Sequence, residues 1–358
     1  MSSLLQMLNP GLAAVVENGH NYQEELSRLH ARIDTLEKEL KKVPSCDTRS
    51  VVASLYGRGR YSTTCNALVQ PSKPRQDHSR PDGGYTLCNA TGTLCGSSSG
   101  RARNNVISIG IGEDWYFEEW LARAGCVVHA FDPTIRLRSK HENHANYNIF
   151  GKRLFFHFAG LGADRNSSLC KVKHFGNVPC HEFAAAYARS QQVKSKPVKS
   201  GRRLAMRTSF KYGTIAGDRL LPLGELLRTA SLADDEQVEV LKIDCEGCEW
   251  EAFDHIRQSS PRLLERVNQI VLELHLRTQF GLLSFGHLER MLRHLYDDHG
   301  FRVFKATPSP GFPGVLSHSK APDDLTAAGF ETDKYVAVEL TMIRPSGASR
   351  RSRSKAFE

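Results

Sequence analysis

The sequence lacks any run of about 18 apolar residues, the length that a helix needs to cross a bilayer. Its opening stretch has neither a basic start nor a long apolar segment, so it does not resemble a secretory signal. Among nine cysteines there is one close pair, Cys245 and Cys248, and a zinc ribbon would need a second. These absences predict a chain that is soluble as written, without a structural metal, in the cytoplasm or a secretory lumen.

The excess of positive charge is confined to two segments. The formal net charge is +9, but residues 189–207 hold seven basic residues and no acid, and residues 346–358 hold four basic residues against one acid. The rest of the chain is close to neutral, unlike a surface that tracks phosphates. Nucleic acid is therefore an unfavoured partner, and both segments are expected to be solvated, with docking of an acidic partner as the alternative.

Three cysteines lie in a loop-like region and could pair in an oxidising compartment: Cys65, Cys88 and Cys95. Two glycosylation sequons, beginning at Asn89 and Asn166, point the same way. The sequence does not fix the pairing, and it leaves the compartment open.

The pattern of apolar residues divides the chain into segments of different character. Leucine and isoleucine recur at steps of three and four over residues 21–42, which predicts an amphipathic helix that could form a short coiled coil in a homodimer or pack on the domain. The predicted organisation is an N-terminal helical segment at 1–43, an irregular lead-in at 44–103, an α/β domain at 104–345 with a basic insertion near 189–207, and a basic tail at 346–358.

From residue 104 onwards, short β-branched runs alternate with helical patterns, which predicts a Rossmann-like α/β domain with a mostly parallel sheet. The last two strands follow one another without an evident crossover helix in the loop at 307–333, so they should pair antiparallel. Strands are expected at 106–112, 126–133, 154–160, 238–244, 267–276, 301–306 and 335–343.

A glycine elbow follows the first strand of this domain. Gly110 and Gly112 lie where the chain must turn sharply into a helix and where a ligand can approach the backbone. Twenty positions on, Asp132 ends the second strand at the spacing of an acid that contacts a ribose. A tight turn and a capped strand end are the plainer interpretation of the same residues.

The third glycine of a dinucleotide motif is absent, because Trp115 occupies its place. A pyrophosphate needs that close packing and would be repelled by Glu113, whereas S-adenosylmethionine (SAM) carries no phosphate. We therefore predict a SAM site with Gly110, Gly112, Glu113, Trp115 and Asp132 as contacts, although Ser108 stands where many such sites have an acid.

Four titratable residues end the fourth and fifth strands, at the edge where ligands bind in parallel sheets. They are Asp244, Glu246, Glu273 and His275. His275 could serve as a general base with its ordinary pKa, and Asp244 could do so if burial raises its pKa. Asp244 or Glu246 could instead cap the next helix, and a divalent ion bound by Asp244, Glu246 and His275 is a further alternative.

The block VLKIDCEGCEWEAF resembles the IDxEGxE signature of the FkbM-like methyltransferases, and PDGGYTLC and VLELHLR resemble segments of animal methyltransferase-like proteins that share this domain. The resemblance covers roughly residues 81–345. It implies SAM as donor, the elbow and Asp132 as cofactor contacts, and O-methylation of a hydroxyl on a small molecule or glycan.

Three other functions compete with this hypothesis. A non-catalytic SAM-fold module could assemble partners through its N-terminal helix and basic insertion. A nucleic-acid methyltransferase is disfavoured by the near-neutral body and by IDCEG in place of an NPPY-like block at the fourth strand. A nicotinamide-dependent oxidoreductase is disfavoured by the missing phosphate site. The sequence leaves the methyl acceptor and the oligomeric state undetermined.

Overall fold

The structure is a computed structural model. It describes residues 48–70, 85–89, 94–95, 104–112, 114–146, 150, 152–162, 169–172, 176–179, 219–277, 284–310 and 323–345. The predicted N-terminal helix at 21–42, the basic insertion at 189–207 and the tail at 346–358 lie outside these residues, so the predictions about them remain predictions. Within the described part, no helix is long and apolar enough to span a membrane.

A seven-stranded sheet forms the centre of the fold. Its strands, in spatial order, are β12 (Arg302–Pro310), β13 (Tyr335–Ile343), β11 (Val267–His275), β10 (Val238–Ile243), β3 (Asn105–Ile109), β4 (Val127–Phe131) and β5 (Leu154–His157). The five strands from β11 to β5 are parallel, and β13 runs antiparallel to both of its neighbours. The predicted mostly parallel sheet ending in an antiparallel hairpin is therefore confirmed.

The sequence order does not show where the last strand lies. β13 inserts between β11 and β12, so its register places Glu339 opposite Glu273 and Ala337 opposite His275. The central strands are buried on both faces, as expected for parallel strands covered by helices.

Helices cover both faces of the sheet. They are α1 (Thr48–Ser54), α2 (Tyr116–Arg123), α3 (Arg138–Asn146), α4 (Leu223–Thr229), α5 (Cys248–Ser259), α6 (Phe285–Arg293) and α7 (Asp323–Ala327). A π-helical turn at His294–Asp298 extends α6, and short 3-10 turns precede α3 and β11, at Ile135–Leu137 and Leu263–Arg266. The helix α7 lies in the loop for which the sequence indicated no helix, because five residues are too few to show a helical period.

Part of the expected lead-in belongs to the domain. Val51 and Leu55 of α1 are fully buried in the main core, and Ser62 forms a β-bridge with Val303. Two short strands, β1 (Leu68–Val69) and β2 (Leu87–Cys88), pair antiparallel and are joined by a Cys65–Cys88 disulfide. The expectation of an irregular segment is thus too simple, since α1, β1 and β2 are regular elements within 44–103, although turns and irregular chain make up most of its other described residues.

Two smaller pairings complete the described strands. β6 (Gly160–Leu161) pairs with β9 (Leu220–Leu221), and β7 (Leu169–Val172) pairs with β8 (Gly176–Pro179). A second disulfide joins Cys95 to Cys126, directly before β4. Cys95 therefore pairs with a cysteine that the sequence pattern had not singled out.

Candidate functional site

The glycine elbow lies at the carboxyl edge of the sheet, between β3 and β10. Gly110 has φ +80°, and a Cβ built there would lie 1.6 Å from the carbonyl oxygen of Asp244. Its amide donates to the Phe131 carbonyl at 2.9 Å. Only glycine fits this position, because any side chain would collide with the backbone that follows β10. The elbow and the Asp244 turn are therefore in direct contact.

Gly112 faces open space instead. Its φ is +64°, and a Cβ built there would meet no atom of the described residues within 4 Å. Beside it, Asp132 accepts hydrogen bonds from the amides of Ile111 at 3.2 Å and Gly112 at 3.0 Å through Oδ2, and from Thr134 at 2.8 Å through Oδ1. The carboxylate thus holds the elbow in shape.

Trp115 and Glu113 are the other two residues predicted to contact the cofactor. Trp115 is 5% exposed; its indole N–H donates to His141 Nδ1 at 3.0 Å, and its ring stacks on His144 at 4.7 Å. Protein partners thus surround the ring, which argues against the predicted cofactor contact. Glu113 lies outside the described residues, so its predicted contact is neither supported nor opposed.

A buried ion pair between Lys242 and Glu118 contacts the elbow. Ser108, which stands where an acid was expected, donates its hydroxyl to Glu118 of α2, and Lys242 of β10 donates to the Gly110 carbonyl. Lys242 Nζ lies 3.8 Å from Glu118 Oε1. Burial raises the pKa of Glu118, although Lys242 and Ser108 counteract this. Glu118 of α2 thus brings a carboxylate next to position 108 of β3, where an acid was expected, from ten residues later in the chain.

Three carboxylates lie in a row across neighbouring strands at this edge. Asp244 follows β10, Glu273 lies on the adjacent β11, and Glu339 lies opposite Glu273 on β13. Burial raises the pKa of Glu273 well above its usual range, and the charge of Asp244 raises it further, whereas His275 lowers it. Tyr85 donates its hydroxyl to Asp244 Oδ2 at 2.7 Å.

His275 is held by a fully buried carboxylate that sequence reasoning did not select. Glu249, the last acid of IDCEGCE, accepts from His275 Nδ1 at 2.8 Å and from the His275 amide at 3.0 Å, and its second oxygen accepts from the Gly247 amide at 2.9 Å. Burial disfavours the charged imidazole, but Glu249, Glu246 and Glu273 outweigh it and raise the pKa of His275 to about 10. The expectation that His275 titrates near neutrality is corrected by these contacts.

The turn between β10 and α5 carries the remaining predicted residue. Glu246 has φ +60°, and its Oε2 lies 3.5 Å from His275 Nε2. Gly247, with φ +107°, occupies the N-cap of α5, with no side-chain cap from the described residues. A disulfide joins Cys245 to Cys248 across this turn. Gly247, and neither Asp244 nor Glu246, therefore occupies the N-cap position of α5.

The donor atoms of Asp244, Glu273 and His275 lie within 4.8 Å of one another, a spacing that a divalent cation could bridge. However, Asp244 accepts from Tyr85, and His275 is bound to Glu249 with Glu246 beside it. Because the protein itself satisfies these groups, we interpret the cluster as a hydrogen-bonded carboxylate–imidazole network and do not identify its members as metal ligands.

Residues 95–303, more than half of the chain, match the sequence profile described as the methyltransferase FkbM domain. The chain belongs to this family of SAM-dependent methyltransferases. Tyr85 and Glu339 lie outside the matched range, so segments on either side of the family's domain contribute to the carboxylate row. No curated protein matches the chain at a significant level.

Solved methyltransferase structures are similar to this chain at low sequence identity. An O-methyltransferase from Bacillus cereus in complex with SAH (S-adenosylhomocysteine) is 10% identical, with 87% of this chain and 97% of that chain covered and a TM-score of 0.31. Coclaurine N-methyltransferase bound to N-methylheliamine and SAH is 10% identical, with coverages of 95% and 94% and a TM-score of 0.31. Geranyl diphosphate C-methyltransferase from Streptomyces coelicolor A3(2) is 9% identical, with coverages of 84% and 100% and a TM-score of 0.29.

Proposed function

We propose that this protein transfers the methyl group of SAM to a hydroxyl group of a small molecule or glycan, with Asp244 as the general base. The contact between Gly110 and the Asp244 backbone carries this proposal, because the strand end that bears Asp244 lies directly beside the elbow. In parallel α/β sheets, ligands bind in the crevice beyond the carboxyl ends of the strands. A donor in the elbow and an acceptor at Asp244 would therefore be neighbours.

The elbow suits SAM in two respects. Gly112 borders open space that a side chain would fill. Asp132 holds the elbow in shape, because it accepts hydrogen bonds from the Ile111 and Gly112 amides. A carboxylate offers about four acceptor sites, and backbone amides use three of them on Asp132. Asp132 can thus brace the elbow and still accept a hydrogen bond from a ribose hydroxyl.

When bound, SAM supplies an electrophilic methyl group on a sulfonium. The chain's own residues must orient the acceptor and take its proton. Asp244 takes the hydroxyl proton of the acceptor, whose oxygen would then receive the methyl group as the bond to sulfur breaks and the neutral thioether leaves, and a positioned base of this kind contributes about 10²- to 10⁴-fold. Burial and the charge of Asp244 raise the pKa of Glu273, which favours its protonated form, and in that form it would donate a hydrogen bond that aligns the acceptor. His275 stays protonated and holds the turn in place.

The disulfides bear on the class of acceptor. Cys65–Cys88, Cys95–Cys126 and Cys245–Cys248 are all bonded, and disulfides persist in oxidising compartments. Glycans and secreted small molecules are found there, whereas nucleic acids lie mainly in reducing compartments. The cysteine pairing therefore favours a glycan or small-molecule hydroxyl over the nucleic-acid alternative.

The test is transfer of a radiolabelled methyl group from SAM to a panel of acceptors, using the full chain with its disulfides intact. The panel contains monosaccharides, oligosaccharides, phenols, transfer RNA and duplex DNA. We expect label in one or more hydroxyl compounds, and added SAH should suppress it. Label confined to nucleic acid, or SAM binding without transfer to any acceptor, would contradict the proposal.

A further inference from the structure

A short segment from outside the family's matched range crosses the face of the sheet beside the site. We call residues 85–89 the strap; they contain β2. Tyr85 and Leu87 are 2% and 0% exposed and belong to the same buried cluster as Val106, Val240 and Val271. The strap thus packs on three adjacent strands, β3, β10 and β11.

The strap is fastened at several points. The Gln269 amide makes two bonds to Cys88: its nitrogen donates to the Cys88 carbonyl at 2.8 Å, and its oxygen accepts from the Cys88 amide at 2.9 Å. The disulfide to Cys65 and the pairing of β1 with β2 hold the same residue from the other side. These bonds hold the strap at Cys88, three residues from Tyr85, and so restrict the movement of the tyrosine ring.

The strap ends at the carboxylate row. The Tyr85 ring packs edge-on against Phe117 with centroids 5.5 Å apart, and Lys242 Nζ lies 5.4 Å from the ring centroid. Its hydroxyl donates to Asp244 Oδ2 at 2.7 Å. Burial and the charges of Asp244, Glu273 and Glu339 raise the pKa of Tyr85 well above its usual range, so the hydroxyl remains a donor.

We infer that Tyr85 is a positioning residue for methyl transfer, holding Asp244 as the ionised carboxylate of the row. This inference rests on the proposed function. Asp244 and Glu273 are neighbours that cannot both be charged without repulsion. A hydrogen bond from Tyr85 stabilises the charge on Asp244, so the proton goes to Glu273. The strap therefore determines which carboxylate acts as base and which one donates.

Other titratable groups face the same carboxylate row. Lys242 lies on β10, and Glu339 lies on β13. Glu246 lies in the turn between β10 and α5, and His275 lies at the end of β11. We expect all of them to remain in place when Tyr85 is changed to phenylalanine, because the substitution removes only the hydroxyl. A change in Asp244 titration in that variant can therefore be assigned to the hydroxyl.

The test is a carbon-13 NMR titration of the aspartate carboxyl groups in the full chain, with Asp244→Asn identifying the Asp244 signal. In Tyr85→Phe, the pKa of Asp244 should rise by about one unit, a tenfold change in its protonation equilibrium. Tyr61→Phe is the matched control, since Tyr61 is also buried and its hydroxyl lies 3.4 Å from Asp297. An Asp244 titration that is unchanged in Tyr85→Phe would overturn the inference.

A second variant and a kinetic measurement make the result decisive. Incorporating 3-fluorotyrosine at position 85 strengthens the donor without changing the fold, and it should shift the Asp244 titration in the opposite direction.

With an acceptor from the panel, Tyr85→Phe should lower kcat about tenfold at the acid limb of the pH profile and leave SAM affinity unchanged. A uniform loss at every pH would indicate a merely structural role. Absence of transfer by the wild type would refute the proposed function, whereas the NMR titration would still decide the role of Tyr85.

Discussion

Replacing Asp244 by asparagine is expected to lower methyl transfer by about 10²- to 10⁴-fold, the contribution of a positioned general base. Asparagine keeps the size of the side chain and can still accept from Tyr85, but it cannot take a proton from the acceptor. SAM affinity should be unchanged, because Gly110 of the elbow packs on the Asp244 backbone, which the substitution leaves intact. The measurement is the initial rate with the best acceptor of the panel, together with a calorimetric SAM titration.

The matched control is Asp235→Asn, which neutralises an exposed aspartate before β10. We expect it to leave the rate and the SAM affinity unaffected. If Asp244→Asn retains more than a tenth of the wild-type rate, Asp244 is not the base, and Glu273 becomes the remaining carboxylate to test.

Replacing Glu249 by alanine is expected to lower the free energy of unfolding by about 3–5 kcal/mol at pH 7, the cost of removing one partner of a buried ion pair. Glu249 is fully buried and accepts from both the ring and the amide of His275, so its loss leaves a buried imidazolium and a buried amide without this acceptor. Chemical denaturation with the disulfides intact measures the change. Glu251→Ala, at an exposed position on the same helix, should cost less than about 0.5 kcal/mol.

Glu249→Gln gives the pH dependence of the same contact. The ordinary pKa of His275 is 6.5, and the folded protein raises it to about 10. The stabilisation from the charged pair is therefore fully present below pH 6.5 and lost as the pH rises towards 10. The difference in unfolding free energy between wild type and Glu249→Gln should shrink over this range, and a difference that is constant from pH 6 to pH 10 would refute the assignment.

The sheet and the position of the site could be predicted from the sequence because both depend on local patterns. Short β-branched runs separated by helical periods indicate parallel strands, and the residues that end such strands must meet at one edge. This reasoning brought Gly110, Asp244 and Glu273 together correctly. It could not place β13 between β11 and β12, because strand order depends on pairing between distant residues.

The contacts that decide the chemistry were not predictable from local patterns. Tyr85 comes from a segment with little periodicity, and its link to Asp244 spans 159 residues of sequence. Glu249 is part of the IDCEGCE motif, but its role depends on how the first turn of α5 faces the end of β11. The raised pKa of His275 follows from that contact, so sequence reasoning assigned the imidazole its ordinary value.

The most direct test of the account is a calorimetric titration of SAH into the wild type, Gly112→Val and Gly329→Val. Gly112 and Gly329 both have positive φ, of +64° and +94°, and at each position a Cβ would meet no atom of the described residues within 4 Å. The two variants therefore carry comparable backbone strain, but only Gly112 lies at the elbow. We predict binding by the wild type and Gly329→Val and none by Gly112→Val. Equal binding by all three proteins, or none by the wild type, would contradict the claim that this elbow binds the methyl donor beside Asp244.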